Sequence, residues 1–402
     1  MNPASPPSMF DAAARPIVQQ LGASRIREVA NASMGRADVL PFWFGEPDEM
    51  TPAFIRDAAK TALDAGDTFY TSNFGMAPLR EALARYQSAL HQPVDANRIA
   101  VTSSGVSALM LVSQLIINPG DRVVAVTPLW PNLFEIPKIL GAEVVQVPLQ
   151  FGAAWELDVQ QLLDALTPDT RAVFINSPNN PTGWVITRAQ QEMLLAHCRK
   201  HGIWILSDDV YERLVYDQQD MGQSCAPSFL DIASAEDRLI SANSFSKSWL
   251  MTGWRLGWVV APAPLMADLG KLIEYNTSCA PGFVQRAGIA AIEQGEDIIA
   301  HTVDRYRTAR DFLYERLNGD AFRRAGIITP KPKGAMYLFF RIEGETDTLT
   351  LCKRLVAEAG LGLAPGSAFG PQGEGYIRWC FASSLDRLEE GASRLQRFLA
   401  IS

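Results

Sequence analysis

Residues 244–258 carry the sequence SFSKSWLMTGWRLGW and follow an apolar run at 238–242 that predicts a buried strand. Lys247 therefore stands just past a strand end, among hydroxyl and aromatic side chains. A lysine in such a place can form a Schiff base with a carbonyl compound if its amine is neutral, which burial and a cationic neighbour favour. Arg255, further along the same stretch, is the candidate neighbour. The alternative interpretation is an ordinary surface lysine after a strand.

The same stretch offers hydrogen-bond donors for an anion. Ser244, Ser246 and Arg255 together suit a phosphate group, because hydroxyls and a planar guanidinium donate to its oxygens. A bare Ser-x-x-Lys is a weak signal, but the pattern here is long. The whole stretch resembles the cofactor-lysine segment of the class I/II aminotransferases, which are fold-type-I enzymes dependent on pyridoxal 5'-phosphate (PLP). The resemblance implies that Lys247 holds this cofactor.

Polar or aromatic side chains also follow other predicted strands. The strands are predicted at 99–102, 122–126, 172–176 and 202–206, and the side chains that follow them are Ser104, Trp130, Asn180 and Asp208. Strands alternating with helices predict a mostly parallel sheet with helices on both faces. Because ligands collect at the carboxyl ends of the strands in such sheets, we expect these side chains and Lys247 to surround one site.

The strand at 99–102 leads into a turn of small residues and then into an apolar helix that extends to residue 117. Such a turn exposes backbone N–H groups at the positive end of the helix, where an anion is stabilised. In the aminotransferases this turn binds the cofactor phosphate, and Ser104, Gly105 and the Val106 amide match it. Some dicarboxylate-specific members have a lysine where Val106 stands, so its absence removes one route to aspartate or glutamate specificity.

Two further matches concern the cofactor ring. Trp130 can stack on a flat heteroaromatic ring, as the matching aromatic does in the family, although a core or interface tryptophan is the alternative. Residues 176–183, NSPNNPTG, contain two prolines and a glycine that give a rigid loop. By resemblance this Asn-Pro-Thr-Gly loop holds Asn180 as a neutral donor to the ring hydroxyl and in the substrate site; a plain turn is the alternative.

Asp208 matches the carboxylate that pairs with the protonated pyridine nitrogen and maintains the ring as an electron sink. Tyr211 matches the phenol that bonds the ring oxygen and lowers the pKa of the Schiff base. The family usually has glutamate after the first aspartate, whereas this chain has Asp209, from which we expect little consequence. The alternative interpretation of Asp208 is a helix-capping aspartate.

Three matches concern the substrate and a partner subunit. Gly45 lies in the turn GEPD at 45–48, which resembles the segment lining the substrate carboxylate pocket but also fits an ordinary turn. Arg378, in a predicted strand at 376–382, matches the arginine that grips the α-carboxylate; a structural salt bridge is the alternative. Tyr70 matches the tyrosine that reaches the cofactor phosphate of the neighbouring subunit, with a core tyrosine as the alternative. It implies a homodimer with shared active sites.

The composition disfavours several classes of function. The chain has 402 residues, of which 48% are hydrophobic and 20% charged, and its net charge of −8 is spread without an acidic or basic block. Nucleic-acid binding therefore has no electrostatic support. No apolar run is long enough to cross a bilayer, and the first residues lack a basic region followed by an apolar core. We expect a cytoplasmic protein that does not act at a membrane.

Neither the histidines nor the cysteines predict a metal site. His197 and His201 are spaced i, i+4 on a predicted helix, where an ordinary surface pair is favoured over metal ligands. The cysteines are odd in number and lack metal-ligand spacing, so we expect reduced thiols that mostly fill the core. They are Cys198, Cys225, Cys279, Cys352 and Cys380.

The length favours two domains. By resemblance the fold is α/β, with a large PLP-binding domain at 44–299 whose mostly parallel sheet is sandwiched by helices. A smaller α+β domain is expected at 16–43 and 300–402, after a loose N-terminal arm at 1–15.

Three helices are predicted from local signals. Apolar spacing predicts one over 17–34, and a long one is expected from residue 283 past residue 310. The pair Thr51 and Pro52 predicts a third, with threonine as the cap and proline in the first turn.

The resemblance extends over residues 17–382, and its motifs occur in family order. It implies an aminotransferase that moves an amino group from an amino acid to a 2-oxo acid, with Lys247 as general base and acid. A PLP-dependent carbon–sulfur lyase or other elimination enzyme is an alternative, because it needs Lys247, Asp208 and Arg378 equally. A non-catalytic effector-binding domain is a second alternative, disfavoured by the short segment before residue 17.

The amino donor stays open at this point. Phe42, Trp43, Phe44 and Trp130 suggest an apolar pocket, and Val106 disfavours acidic substrates. A neutral or aromatic donor is therefore a mild preference. One methylene changes selectivity by only about 1–3 kcal/mol, which is finer than pocket walls can be placed from sequence.

Overall fold

The computed structural model describes residues 14–217 and 224–400. The predicted arm at 1–15 lies outside the described residues apart from its last two. The described strands are β1 (Leu40–Pro41), β2 (Ile99–Thr102), β3 (Arg122–Thr127), β4 (Glu143–Pro148), β5 (Gln150–Phe151), β6 (Trp155–Glu156), β7 (Thr170–Asn176), β8 (Trp204–Asp208), β9 (Leu239–Ser244), β10 (Gly257–Val260), β11 (Ile327–Ile328), β12 (Tyr337–Ile342), β13 (Leu361–Gly362), β14 (Ala364–Pro365) and β15 (Tyr376–Cys380). The described helices are α1 (Pro16–Gln19), α2 (Arg25–Asn31), α3 (Ala53–Asp64), α4 (Ala77–Leu90), α5 (Gly105–Ile116), α6 (Asn132–Ile139), α7 (Val159–Ala165), α8 (Arg188–His201), α9 (Met266–Asn276), α10 (Gly282–Gln294), α11 (Glu296–Leu317), α12 (Asp320–Arg324), α13 (Thr348–Arg354) and α14 (Leu385–Phe398).

The largest sheet has the strand order β2-β10-β9-β8-β7-β3-β4. Strand β10 is antiparallel to both of its neighbours, while the pairs from β9 to β4 are all parallel. The predicted mostly parallel sheet is therefore confirmed. The carboxyl ends of β2, β3, β7, β8 and β9 lie at one edge of this sheet, so the residues that follow these strands come together there.

Both faces of this sheet are covered. Val124 and Val173 belong to one hydrophobic cluster, whereas their neighbours Val123 and Ala172 belong to another, because successive residues of a strand point to opposite faces. Helix α10 packs on α3 and α4 at the first face, and α5 packs on α6 and α9 at the second. The predicted helices on both faces are confirmed.

A second, antiparallel sheet has the order β11-β12-β15-β14. Strand β1 pairs in parallel with β13, with Leu40 opposite Leu361, so a segment near the amino terminus packs with the carboxyl-terminal part of the chain. This pairing is what a small domain made of 16–43 and 300–402 requires. The domain bounds themselves stay a prediction.

Two of the predicted helices are interrupted. The continuous helix over 17–34 is wrong, because Ser24 accepts a hydrogen bond from the Arg27 amide and caps a new helix, α2, after the short α1. The long helix from residue 283 is divided between α10 and α11 at Gly295. A Cβ there would lie 2.2 Å from the Ala291 carbonyl oxygen, so the close approach at this junction requires glycine.

The predicted threonine cap of α3 is also wrong. The N-cap position is Pro52, and no side chain caps this helix. The Thr51 hydroxyl instead donates to the Leu250 carbonyl over 2.6 Å, which ties the start of α3 to the stretch that carries Lys247. A long-range bond has replaced the local one that the sequence indicated.

The remaining motifs have structural roles. All five cysteines are free, and all but Cys279 are buried, which agrees with core thiols. His197 bonds the Leu166 carbonyl through Nε2 over 2.8 Å, and its ring packs against that of His201 in a tilted arrangement with centroids 4.5 Å apart. Among residues 14–217 and 224–400 there is no group of three or more His, Cys, Asp and Glu placed to hold a metal ion. No helix in this part of the chain has the length and apolar character needed to cross a bilayer.

Candidate active site

A cleft of about 1170 Å³ lies at the carboxyl ends of the parallel strands. All but two of the predicted site residues line it, namely Gly45, Gly105, Val106, Trp130, Asn180, Asp208, Tyr211, Ser244, Ser246, Lys247, Arg255 and Arg378. The exceptions are Ser104, which is buried beside the cleft, and Tyr70, which is exposed elsewhere. Of the strand-end residues expected to surround one site, Trp130, Asn180, Asp208 and Lys247 line this cleft.

Lys247 follows β9, and its Nζ donates to the Gly45 carbonyl over 2.6 Å. Burial lowers the pKa of Lys247 to about 8, and the positive charges of Arg378 and Arg255 act in the same direction. The predicted cationic neighbour is therefore present, although burial is the larger cause. A large fraction of this amine is neutral near pH 8, as a nucleophile or general base requires.

Asp208 is the last residue of β8 and is buried. Burial raises the pKa of Asp208 to about 7, and the charge of Asp209 raises it further. The Asp209 carboxylate accepts hydrogen bonds from the Ser207 and Ser241 hydroxyls, at 2.6 and 2.5 Å. Within the described residues, the Asp208 carboxylate accepts only a long bond of 3.4 Å from the Val210 amide. Asp208 is thus a buried carboxylate short of donors, and a cation placed beside it would be stabilised.

The turn before α5 is held by Ser104, which has a φ of 129° and caps the helix by accepting from the Ser107 amide over 3.0 Å. The first N–H groups of an α-helix have no hydrogen-bond partner within the helix. In α5 these groups include the amides of Gly105 and Val106. A Cβ on Gly105 would lie 3.1 Å from the Ser244 Cβ, and the Ser244 hydroxyl donates to Ser246 over 2.9 Å. The Ser244 and Ser246 hydroxyls therefore lie close to Gly105, the first residue of the helix, as a shared phosphate site requires.

Arg255 completes this corner of the cleft. Its backbone has a φ of 54°, in the left-handed region. Its Nη1 donates to the neutral Thr252 carbonyl over 2.6 Å, which leaves the positive charge of the guanidinium uncancelled by that bond. A helix N-terminus, two hydroxyls and a guanidinium together make a site for a dianion.

Arg378, on β15, is buried without a carboxylate partner in its hydrogen bonds. Nη1 donates to Asn180 Oδ1 over 2.8 Å, and Nη2 donates to the Trp43 carbonyl. Nε is buried and has no hydrogen-bond partner among residues 14–217 and 224–400. The guanidinium lies 4.3 Å from the Tyr337 ring centroid. The salt-bridge alternative is wrong, since both acceptors are neutral, and the charge is left for a ligand.

The aromatic residues proposed for an apolar pocket divide into two groups. Phe44 and Trp130 line the cleft, as predicted. Phe42 and Trp43 do not, because Phe42 packs against Trp379 at 5.2 Å and the Trp43 ring fills the space beside Gly362. The prediction that Phe42 and Trp43 belong to an apolar substrate pocket is therefore wrong.

Tyr337 is a site residue that the sequence interpretation missed. Its hydroxyl oxygen is 2.7 Å from that of Tyr211, and both side chains are buried. A Cβ on Gly45 would lie 1.9 Å from the Tyr337 hydroxyl oxygen, so glycine is required at that position. The available signal was a hydroxyl at the start of strand β12, directly before the apolar run at 338–340.

Tyr70 is 90% exposed, so the core-tyrosine alternative is wrong. It does not line the cleft formed by its own chain. Its expected role toward a neighbouring subunit stays a prediction.

Comparison with known proteins agrees with this geometry. The family model described as aminotransferase class I and II matches residues 37–395. The chain is 33% identical over 390 residues to a probable N-acetyl-LL-diaminopimelate aminotransferase of Bacillus subtilis (strain 168), covering 96% of this chain and 95% of that protein. It is 33% identical over 380 residues to an aspartate aminotransferase of Pyrococcus horikoshii, covering 94% of each. Among solved structures, the aromatic aminotransferase of Pyrococcus horikoshii OT3 aligns with a TM-score of 0.84 and 33% identity, over 92% of this chain and 98% of that one.

Proposed function

The chain belongs to the family of class I and II aminotransferases, and we propose that its cleft holds PLP on Lys247. The family is PLP-dependent, and the chain is an aminotransferase that moves an amino group from an amino acid to a 2-oxo acid. The relatives described above are aminotransferases by name, and none points to a carbon–sulfur lyase. That alternative has no further support.

The observation that carries the cofactor proposal is the pairing of Lys247 and Asp208 in one cleft. Lys247 presents an amine whose pKa is lowered to about 8, and Asp208 presents a buried carboxylate that lacks a cationic hydrogen-bond partner. The first suits attachment to an aldehyde, and the second suits a protonated ring nitrogen. An ordinary surface lysine and a helix-capping aspartate would explain neither feature.

The residues present also fit the phosphate. The Gly105 and Val106 amides, the Ser244 and Ser246 hydroxyls and the Arg255 guanidinium are the proposed donors, with Ser104 holding the turn. Trp130, at the same cleft, is proposed to stack on the ring. Tyr70 of the partner subunit is the further phosphate donor in this proposal.

When bound, PLP supplies an aldehyde that takes up the amino group and a ring that withdraws electrons from the substrate α-carbon. Lys247 Nζ would remove the proton from the substrate α-carbon as general base and deliver it to the cofactor as general acid. Asp208 keeps the proton on the ring nitrogen, and the Tyr211 hydroxyl bonds the ring oxygen. Arg378 binds the α-carboxylate together with Asn180, at the pocket that includes Gly45.

Four further features complete the proposal. We place the large domain at 44–299 and the small domain at 16–43 and 300–402. The assembly is a homodimer with shared active sites, which the exposure of Tyr70 outside its own cleft supports. We assign the enzyme to the cytoplasm, which the free thiols support. The preferred donor is a neutral or aromatic amino acid, supported by Phe44, Trp130 and Val106 at the cleft.

The test is the variant Lys247→Ala. We expect the purified wild-type protein to be yellow and borohydride to fix the cofactor to the peptide that contains residue 247. Lys247→Ala should lose both the fixed label and turnover. The matched control is Lys138→Ala, because Lys138 also lines the cleft but is ion-paired with Glu135 at 2.9 Å. Full activity of Lys247→Ala, or labelling of another peptide, contradicts the proposal.

Two further measurements define the reaction. Product formation that requires an added 2-oxo acid is expected for transamination, whereas product without one indicates elimination. A screen of amino acids for loss of the yellow colour identifies the donor. A response to acidic amino acids alone would contradict the neutral or aromatic preference.

A further inference from the structure

We propose that Tyr337 is a positioning residue for this reaction, whose hydroxyl donates to the Tyr211 oxygen and thereby directs the Tyr211 proton toward the cleft. The inference rests on the proposed function, because it concerns how Tyr211 meets the cofactor ring oxygen. It adds a residue outside the sequence motifs of the site. Tyr337 comes from β12 of the small sheet, and Tyr211 follows β8 of the large sheet.

The contact between the two hydroxyls is built into the fold. Their oxygens are 2.7 Å apart, and both rings are buried and meet edge to face at 5.8 Å. Gly45 makes room for this arrangement, since the position of its absent Cβ is 1.9 Å from the Tyr337 oxygen and 3.4 Å from Lys247 Nζ. The hydroxyl pair and the lysine amine therefore approach the same glycine.

The direction of the hydrogen bond follows from the charges nearby. Each phenol carries one proton, so one member of the pair donates and the other accepts. The Arg378 guanidinium lies 4.3 Å from the Tyr337 ring centroid, and a cation there makes Tyr337 the stronger acid. Burial raises the pKa of Tyr337 to about 12, with Arg378 opposing the rise. Burial raises the pKa of Tyr211 well above its usual value, Tyr337 and Asp208 add to that rise, and Arg378 opposes it at Tyr211 as well. Lys247 Nζ lies 5.9 Å from the Tyr211 ring centroid, which is farther than Arg378 lies from the Tyr337 ring.

A donor to Tyr211 has a consequence at Lys247. Tyr211 cannot donate to Tyr337 while accepting from it, so its own proton is free for an acceptor in the cleft. Hydrogen bonds in such a chain strengthen one another. A stronger donor at the ring oxygen withdraws negative charge that otherwise stabilises a proton on the Lys247 nitrogen. The proton should therefore leave Lys247 at a lower pH when Tyr337 is present.

The experiment is a pH titration of the visible absorbance of PLP-loaded protein, which reports the proton on the Lys247 nitrogen. Four proteins are compared: wild type, Tyr337→Phe, Tyr211→Phe and the double variant. We expect Tyr337→Phe to raise the midpoint by roughly 0.5 pH unit, as a single neutral hydrogen bond would. Tyr211→Phe should raise it more, and adding Tyr337→Phe to that background should change nothing further.

Tyr216→Phe is the matched control. Tyr216 is also buried and donates to the Ala335 carbonyl, but it does not line the cleft, so its loss should leave the midpoint unchanged. Thermal unfolding of each variant checks that the fold is retained. We expect it to be retained, because phenylalanine keeps the buried ring of tyrosine.

The outcomes separate this inference from the proposed function. An unshifted midpoint in Tyr337→Phe, or an equal shift in both Tyr211 backgrounds, overturns the role of Tyr337 alone. If the wild-type protein shows no visible band, or if the band survives Lys247→Ala, the proposed function falls and the inference falls with it. A shift in the wild-type background that disappears in Tyr211→Phe supports both.

Discussion

Arg378 and Asn180 are joined by a hydrogen bond of 2.8 Å from Nη1 to Oδ1. The bond links β15 to the loop after β7, and it uses the amide oxygen of Asn180, so the Nδ2 group is left to donate elsewhere. Nη2 donates to the Trp43 carbonyl, while Nε has no partner in the part of the chain that the structure describes. One contact thus orients the amide expected at the cofactor ring and the guanidinium expected at the substrate carboxylate.

Arg378→Lys tests this arrangement. Lysine keeps the positive charge but cannot bond a carboxylate and the Asn180 amide with one planar group. We expect kcat/KM for the amino acid to fall about 100- to 1000-fold, equivalent to roughly 3–4 kcal/mol, while the visible band of the bound cofactor is retained. Stopped-flow measurement of the half-reaction with the amino acid provides both quantities.

Arg341→Lys is the matched control for that change. Arg341 lies on the neighbouring strand β12 and also has a buried Nε without a partner, but it does not line the cleft. Its replacement should leave kcat/KM unchanged. Equal losses in the two variants would mean that Arg378 acts through the sheet and not through the substrate.

Gly45→Ala should damage both stability and activity. The new Cβ would lie 1.9 Å from the Tyr337 hydroxyl oxygen and 3.4 Å from Lys247 Nζ, in a place where the buried tyrosine has little room to move. Overpacking of this kind costs about 1–3 kcal/mol in the free energy of unfolding, which urea denaturation measures. Gly253→Ala is the control, since a Cβ there meets nothing within 4 Å.

A second substitution locates the cause. In Gly45→Ala/Tyr337→Phe the oxygen that clashes is gone, although the Tyr337 ring carbon that carries it would still be 3.0 Å from the new Cβ. The double variant should therefore be more stable than the sum of the two single losses predicts. Strict additivity would show that the clash with Tyr337 is not the reason that glycine is needed.

Sequence reasoning found the site residues that follow strands. Lys247, Asp208 and Asn180 are each placed by a neighbouring apolar run or a proline-rich loop, and the parallel sheet then brings their positions together. These predictions needed only local patterns and one rule of sheet geometry. Tyr337 was missed because its partner Tyr211 is 126 residues away, and no local pattern encodes a contact between the two sheets.

Two of the failures among the helices, at Thr51 and at Gly295, have the same origin. Thr51 has the composition of a cap, but Leu250 offers its hydroxyl a stronger long-range partner. The apolar spacing from residue 283 onward continues across Gly295, where a Cβ would lie 2.8 Å from the ring of Trp249, a residue far away in the sequence. Propensity and periodicity describe each segment alone, whereas tertiary contacts decide where it ends.

The lowered pKa of Lys247 predicts a pH dependence for cofactor capture. Only the neutral amine attacks an aldehyde, and burial brings the pKa to about 8 from the value of about 10.4 for a free lysine. The rate at which PLP-free protein regains the visible band should therefore rise with pH, with a midpoint near 8, and level off above it. Rapid mixing at constant ionic strength measures this rate.

Asp208→Asn supplies the comparison. The positive charge of Lys247 lowers the pKa of Asp208. By the same interaction, the negative charge of Asp208 favours the protonated form of Lys247. Removing that charge should move the midpoint for capture to lower pH. A midpoint near 10 in the wild-type protein would show that Lys247 is not desolvated in the ligand-free cleft.

Shared active sites can be tested by mixing subunits that each lack one site residue, provided that Tyr70→Ala alone, like Lys247→Ala, loses most of its activity. Tyr70 is 90% exposed and lies outside the cleft of its own chain, so we expect it to serve the cleft of its partner. In a mixed dimer of Tyr70→Ala and Lys247→Ala chains, one cleft would combine an intact Lys247 with an intact Tyr70 from the other subunit. Random re-association should then restore up to about one quarter of wild-type activity.

The control mixes Lys247→Ala with Asp208→Asn, which act in the same cleft, so no mixed dimer has a complete site and no activity should return. Sedimentation of the active species as a monomer, or dimers that form without recovery, would exclude a role for Tyr70 across the interface.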